Sequence, residues 1–234
     1  MFRRTSFYLE VASHPSEDLP QQGCKKKPVL QLSGEVEFDE CYIVAGQKGQ
    51  PAKVIARQRE SRRRRLKGKR GRGTALDEKN PVFGIAARSG QIILRVLENV
   101  KQKTIRPIIN QGVEKDTQVY TDEYNIYNRL KDWGYRHQLV EHGKGEYARD
   151  EDGDGFCEVH CNTIEGIWSL LRSWLRPHRG VSQEKLPFYV GFFEWMYNLK
   201  KRGQKALNET LKCLLQPDQR TYEECILNFS LKTE

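Results

Sequence analysis

From Glu35 to Val44 acidic and apolar side chains alternate (Glu-Val-Glu-Phe-Asp-Glu-Cys-Tyr-Ile-Val), the pattern of a half-buried strand. Two apolar runs, 81–87 and 91–97, flank Arg88-Ser89-Gly90 and predict a β-hairpin. Ile105, Ile108 and Ile109 recur at helical spacing between Lys103 and Gly112, where the glycine is a stop signal. Thr117 to Thr121 reads as a short strand running into Asp122, Tyr124 to Trp133 as a helix, and Tyr135 to Val140 as another strand. Beyond a polar loop, Asn162 to Leu175 places Ile164, Ile167, Trp168, Leu171 and Leu175 on one helical face. Leu186 to Leu199 is a further apolar, aromatic-rich helix, and the last thirty or so residues read as a helical tail. Strands alternating with helices in this order predict an α/β fold with a mixed sheet. Trp168, Trp174, Phe188, Phe192, Phe193 and Trp195 lie among aliphatics at helical spacing, which suits a core better than a base-stacking surface.

Composition adds a partner. Forty Lys and Arg against 31 Asp and Glu leave a net charge of +9 on 234 residues, which points to a polyanion such as nucleic acid. The basic residues crowd between Gln47 and Asn80, where apolar positions are rare. Arg62, Arg63, Arg64, Arg65, Lys67, Lys69, Arg70 and Arg72 form a run suited to tracking phosphates without reading sequence. Six cysteines without regular spacing argue against a disulfide scaffold and for a reducing compartment. No apolar run reaches the roughly 18 residues that span a bilayer. The expectation is a soluble intracellular protein, nucleoid-associated in a bacterial cytoplasm, or nuclear in a eukaryotic host.

Three acidic positions stand out by their setting. Asp39 interrupts the first strand and shares a face with Glu37; Asp122 ends a strand, where α/β sheets present ligand-binding groups. Glu165 opens an otherwise apolar helix, on a narrow polar face with Asn162, Ser169 and Arg172. Each has an ordinary structural reading, as a solvated strand residue, a turn or cap residue, or a helix-dipole partner. Together, carboxylates from separate elements are what Mg2+ requires, since it takes hard oxygen ligands in octahedral geometry. Two such ions about 4 Å apart stabilise both the attacking and the leaving oxygen of a phosphodiester displacement.

At these residues the chain resembles a known family. Val36-Glu-Phe-Asp-Glu-Cys-Tyr-Ile43, Tyr120-Thr-Asp-Glu-Tyr124 and His160-Cys-Asn-Thr-Ile-Glu-Gly-Ile-Trp-Ser-Leu-Leu-Arg172 are similar to the signature blocks of insertion-sequence transposases with an RNase H-like DDE domain, in the branch related to eukaryotic Merlin elements. The resemblance runs from about Gly34 to about Arg202. It implies an RNase H-like mixed sheet flanked by helices, with C-terminal helices, and an acidic triad at Asp39, Asp122 and Glu165. Asn162 is the alternative third ligand; an anionic oxygen binds Mg2+ better than an amide, which favours Glu165. The resemblance further implies two Mg2+ or Mn2+ ions, Arg172 as a basic DNA contact, and His160 and Asn162 in supporting positions. The implied reaction is metal-assisted strand cleavage at transposon ends, then in-line attack of the freed 3′-hydroxyl on target DNA, with no protein nucleophile. Because such enzymes pair two ends, a homodimer or higher oligomer on DNA is expected.

The expected organisation is an irregular lead-in over 1–33, a catalytic domain over 34–202 with a basic insertion at 47–80, and a helical tail over 203–234. Family members usually carry a zinc ribbon and a helix-turn-helix before the catalytic domain. The lead-in holds the single Cys24 and no CxxC. End recognition is therefore expected from a separate polypeptide, or the chain is a truncated remnant that only binds DNA; an RNase H-like nuclease that cuts without joining is the other alternative. Asp150-Glu-Asp-Gly-Asp-Gly imitates a calcium loop, but its twelfth position is Cys161, so it reads as an acidic loop beside the site. Cys157, His160 and Cys161 lack the fourth ligand of a zinc site.

Overall fold

The computed structural model describes residues 30–56 and 78–215, except 142, 144, 146, 147 and 156. The alternating segment forms β1 (Glu35–Val44), followed by a short helix α1 (Pro51–Ala56). The predicted hairpin is β2 (Lys79–Ala87) and β3 (Ile92–Val96). Helix α2 (Gln102–Gly112) leads to β4 (Gln118–Asp122), and β5 (Arg136–Val140) follows. Two-residue strands β6 (Ala148–Arg149) and β7 (Val159–His160) bracket the acidic loop. Helix α3 (Asn162–Leu175) and the long α4 (Leu186–Leu215), kinked at Gly203, close the described chain.

One expected element takes another form. The segment 124–133 is two 3-10 turns, Asn125–Tyr127 and Lys131–Trp133, rather than a helix. Asp122 accepts a hydrogen bond from the Tyr124 amide at 3.0 Å, and Tyr124 itself is extended. Two tight turns still bury Ile126, Tyr127, Leu130 and Trp133 within that segment.

The main sheet has the order β3-β2-β1-β4-β5. β1, β2 and β3 run antiparallel, whereas β4 pairs in parallel with both β1 and β5. This is an RNase H-like mixed sheet. Strand alternation sorts its side chains onto two covered faces. Val36, Phe38, Phe83, Ile85 and Val119 join a cluster with Ile105 and Ile109 of α2. Cys41, Ile43, Val82, Ala86 and Tyr120 join the opposite cluster, with Ile164, Ile167, Trp168 and Leu171 of α3 and Val190 and Phe193 of α4. Of the aromatic residues expected inside, Trp168 and Phe193 are buried. Trp174, Phe188, Phe192 and Trp195 are half-buried, because α4 rides on the outside of this layer.

The outer edge of β3 is covered by α4. Asn198 both accepts from the Ile92 amide and donates to the Ile92 carbonyl, each at 2.8 Å, and Glu194 accepts from the Leu94 amide at 2.7 Å. Two helical side chains one turn apart thus meet backbone groups two residues apart on the strand, where a further strand would otherwise pair.

Candidate active site

Glu37, Asp39 and Cys41 alternate with Val36 and Phe38, so they point to the face covered by α3. On β4, Tyr120 points to that face, and Asp122, two residues on, follows it. β1 and β4 pair in parallel with Glu37 opposite Tyr120; continuing that register by two residues sets Asp39 beside Asp122. Glu165 lies in the first turn of α3, the helix laid across the same strands.

Electrostatics ties the three together. Burial pushes the Asp39 carboxyl up to about 6, and the negative charges of Asp122 and Glu165 add to the rise. Hydrogen bonds from the Trp168 indole N–H to Oδ2 (2.8 Å) and from the Glu40 amide to Oδ1 (2.7 Å) partly offset it. Among the described residues, the charges that act on Asp39 are negative. The site therefore has the donor chemistry of a hard divalent cation: carboxylate oxygens from three elements, converging at a covered sheet end.

Other anticipated residues fall around this point. Asn162 and Glu165 are exposed on the same side of α3. Arg172, two turns beyond Glu165, donates from Nη2 to the Cys41 thiol at 3.2 Å, two residues along β1 from Asp39. Burial pushes that thiol up to about 11, against the pull of Arg172. His160 sits at the end of β7 with Nδ1 3.3 Å from Glu37 Oε1. Burial, then the charge of Arg88, lowers its pKa, and the same Nδ1 accepts from the Asn162 amide at 3.3 Å. The basic run Arg62, Arg63, Arg64, Arg65, Lys67, Lys69, Arg70 and Arg72 lies outside the described residues, as does the lead-in up to residue 29.

Three residues given no role at the site from sequence are part of its construction. Trp168 belongs to the core, as its spacing suggests, and also holds Asp39. Glu37 is fully buried, and Arg88 reaches it from the β2–β3 turn with Nε 3.1 Å from Oε1. The signal that could have found Glu37 is an acid on the covered side of a strand, which requires partners wherever it is buried. Separately, the ligand oxygens of Asp150, Asp152, Asp154 and Glu158 lie within 4.8 Å of one another in the loop between β6 and β7. The Gly153 and Gly155 amides both donate to Asp150.

The fold and this acidic site define the class, an RNase H-like α/β domain with carboxylates gathered at one sheet end. The family model of the ISXO2-like transposase domain matches residues 31–198, and the chain belongs to that family. It is 37% identical over 191 residues to an uncharacterized protein in transposable element ISH50 of Halobacterium salinarum, covering 80% of this chain and 60% of the relative. An uncharacterized transposase-like protein of Haemophilus influenzae is 27% identical over 103 residues, 44% of this chain and 77% of that one. A chain in the cryo-EM structure of the simian T-cell lymphotropic virus intasome, in complex with PP2A regulatory subunit B56 gamma, overlaps 79% of this chain and 54% of its own. The TM-score there is 0.38 and the identity 10%. No helix among the described residues is long and apolar enough to cross a membrane.

Proposed function

We propose that this chain is the catalytic part of a DNA transposase that cleaves strands at transposon ends and transfers them to target DNA. The observation that carries the reading is that a chain of the ISXO2-like transposase domain family brings Asp39 of β1, Asp122 of β4 and Glu165 of α3 to one face of its sheet; the raised pKa of Asp39 agrees with it. Asp39, Asp122 and Glu165 hold two Mg2+ or Mn2+ ions, with Asn162 as the alternative third ligand. When bound, the ions supply activation of the attacking oxygen and stabilisation of the leaving one. The protein's own part is positional. Trp168 and the Glu40 amide each occupy one oxygen of Asp39 and fix its rotamer, leaving the remaining lone pairs for a ligand. The guanidinium of Arg172 has donors beyond the one on Cys41, which suit a DNA phosphate.

The net charge of +9 and the basic run from Arg62 to Arg72 support DNA as the substrate, gripped mainly through its backbone. Pairing two ends calls for at least a dimer on DNA, with end recognition from a separate polypeptide. The chain spans 60% of the length of the Halobacterium relative.

The test is Mg2+- or Mn2+-dependent cleavage and joining of a labelled DNA bearing the element's flanking repeats. Wild type is compared with Asp39→Ala, Asp122→Ala, Glu165→Ala and Asn162→Ala. Loss of at least a hundredfold in the first three, with Asn162→Ala retaining activity, is the expected result. Cleavage without joining would favour a nuclease. A folded, DNA-binding wild type without any cleavage would favour a binding remnant.

A further inference from the structure

Helix α3 begins without a cap of its own: Cys161, at its N-cap, makes no side-chain hydrogen bond to the helix. The donors there are met from another element. Glu37 of β1 accepts the Ile164 amide on Oε2 at 2.9 Å and the Thr163 hydroxyl on Oε1 at 2.9 Å. Ile164 is the third residue of the helix, and its amide is one of those a helix start leaves without a backbone partner. Oε1 also lies 3.1 Å from Arg88 Nε and 3.3 Å from His160 Nδ1.

Arg88 is itself held from several sides. Its Nη1 lies 3.3 Å from Glu35 Oε2, its Nη2 donates to the carbonyls of Glu158 (2.6 Å) and His160 (3.2 Å), and its guanidinium sits 4.0 Å from the centre of the Tyr120 ring. The Tyr120 hydroxyl donates to Glu35 at 2.9 Å. The β2–β3 turn, β7 and the start of α3 thus meet at one buried carboxylate of β1, and β4 joins them through Tyr120 against Arg88.

The position of that carboxylate matters because Glu37 is two residues before Asp39 on the same face of β1, and Ile164 is one residue before Glu165 on α3. The bond between Glu37 and Ile164 is therefore a direct tie between the two elements that carry these acids. We infer that Glu37, charge-balanced by Arg88, is a positioning residue that sets the start of α3 against β1 and so fixes the spacing of Glu165 from Asp39. This rests on the metal-site reading given under Proposed function. Mg2+ accepts little departure from octahedral geometry, so a displaced Glu165 weakens metal binding even where the fold survives. Groups that hold ligands without touching the metal commonly change its affinity tenfold or more.

The experiment is calorimetric titration of the full chain with Mn2+, with far-UV circular dichroism as the check of folding. Wild type, Asp39→Ala, Glu37→Gln, Thr163→Val and Thr163→Ser are compared. Glu37→Gln keeps shape and an acceptor but places an amide N–H2 against donors; about tenfold weaker Mn2+ binding is expected. Thr163→Val removes only the hydroxyl bond, for about threefold weaker binding, and Thr163→Ser restores it. This pair decides the matter if Glu37→Gln does not fold, because serine rescue is not expected of a general loss of stability. Wild-type Mn2+ affinity in folded Glu37→Gln, or in Thr163→Val where Glu37→Gln does not fold, would overturn the positioning role, and loss of binding in Asp39→Ala would leave the metal site intact as a reading. Equal Mn2+ binding by wild type and Asp39→Ala would overturn the metal site, and the role of Glu37 with it.

Discussion

The indole N–H of Trp168 donates to Asp39 Oδ2 at 2.8 Å, so the helix that carries Glu165 also holds the carboxylate of the neighbouring strand. Trp168 sits one turn beyond Glu165, with its ring in the core and its only polar atom aimed at the acidic site. Core packing and site geometry are therefore one feature here, and they should fail together.

Trp168→Phe tests this. Phenylalanine keeps an aromatic ring but donates nothing, and a hydrogen bond to a charged group contributes about 1.5–3 kcal/mol. The bond lowers the Asp39 pKa, so its loss should raise that pKa above about 6. Urea unfolding at pH 7.5 and pH 5 is the measurement. The variant should lose more stability at pH 7.5, where Asp39 is ionised and most in need of the donor. Equal losses at both pH values would mean that only ring packing had been disturbed.

Gly84 lies opposite Asp39 in the β1–β2 register, beneath the same indole. A Cβ there would stand 2.5 Å from Trp168 Cη2 and 2.8 Å from Ile164 Cδ1, distances no packed carbon tolerates. Gly84→Ala should cost about 1–3 kcal/mol by overpacking and push the indole off Asp39. Its signature is a lower thermal midpoint together with weaker Mn2+ binding. A lower midpoint with unchanged metal affinity would show that the ring relaxes without moving its N–H.

Much of this architecture is legible in the residues, for reasons that also mark where reading stops. β1 and α3 follow from strict periods, of two in Glu35–Val44 and near 3.6 in Asn162–Leu175. The segment 124–133 carries helical spacing as well, yet forms two 3-10 turns. Short runs pinned at both ends, here by Asp122 and by the left-handed Gly134, can bury the same side chains without a full helix. β6 and β7 are two residues each, too short for any period to register. Asp39, Asp122 and Glu165 were noticeable because acids stood in apolar settings. Glu37 stands in the same strand, but its role depends on α3 starting directly above it, which no local pattern records.

The edge of β3 offers a test of the fold alone. Asn198 makes paired hydrogen bonds with both backbone groups of Ile92, and among the described residues no other strand pairs on that side. Asn198→Leu keeps the volume and removes both partners, leaving a buried amide and carbonyl unmet at about 1–3 kcal/mol each. The variant should unfold at lower urea and, with its strand edge opened, associate at high concentration. Light scattering and urea midpoints both matching wild type would show that α4 is not what protects this edge.

The raised pKa of Asp39 sets a pH dependence whose sign can be worked out. The ordinary value is 3.8 and the folded value about 6, so between them the folded protein binds a proton more tightly than the unfolded chain. This contribution to stability is fully present below about pH 4 and is lost as pH rises through 6, for a total of about 3 kcal/mol. A divalent cation held at Asp39, as proposed, would compete for the same carboxylate and bind only its ionised form. Mg2+ should therefore raise the thermal midpoint clearly at pH 7.5, where Asp39 is charged and destabilising, and hardly at pH 5, where a proton already occupies it. In Asp39→Ala the Mg2+ shift should vanish at pH 7.5. Calorimetric scans with and without Mg2+ at the two pH values decide it. A Mg2+ shift of the same size at pH 5 would mean that the stabilising ion sits elsewhere, for example on the acidic 150–158 loop, and not on Asp39.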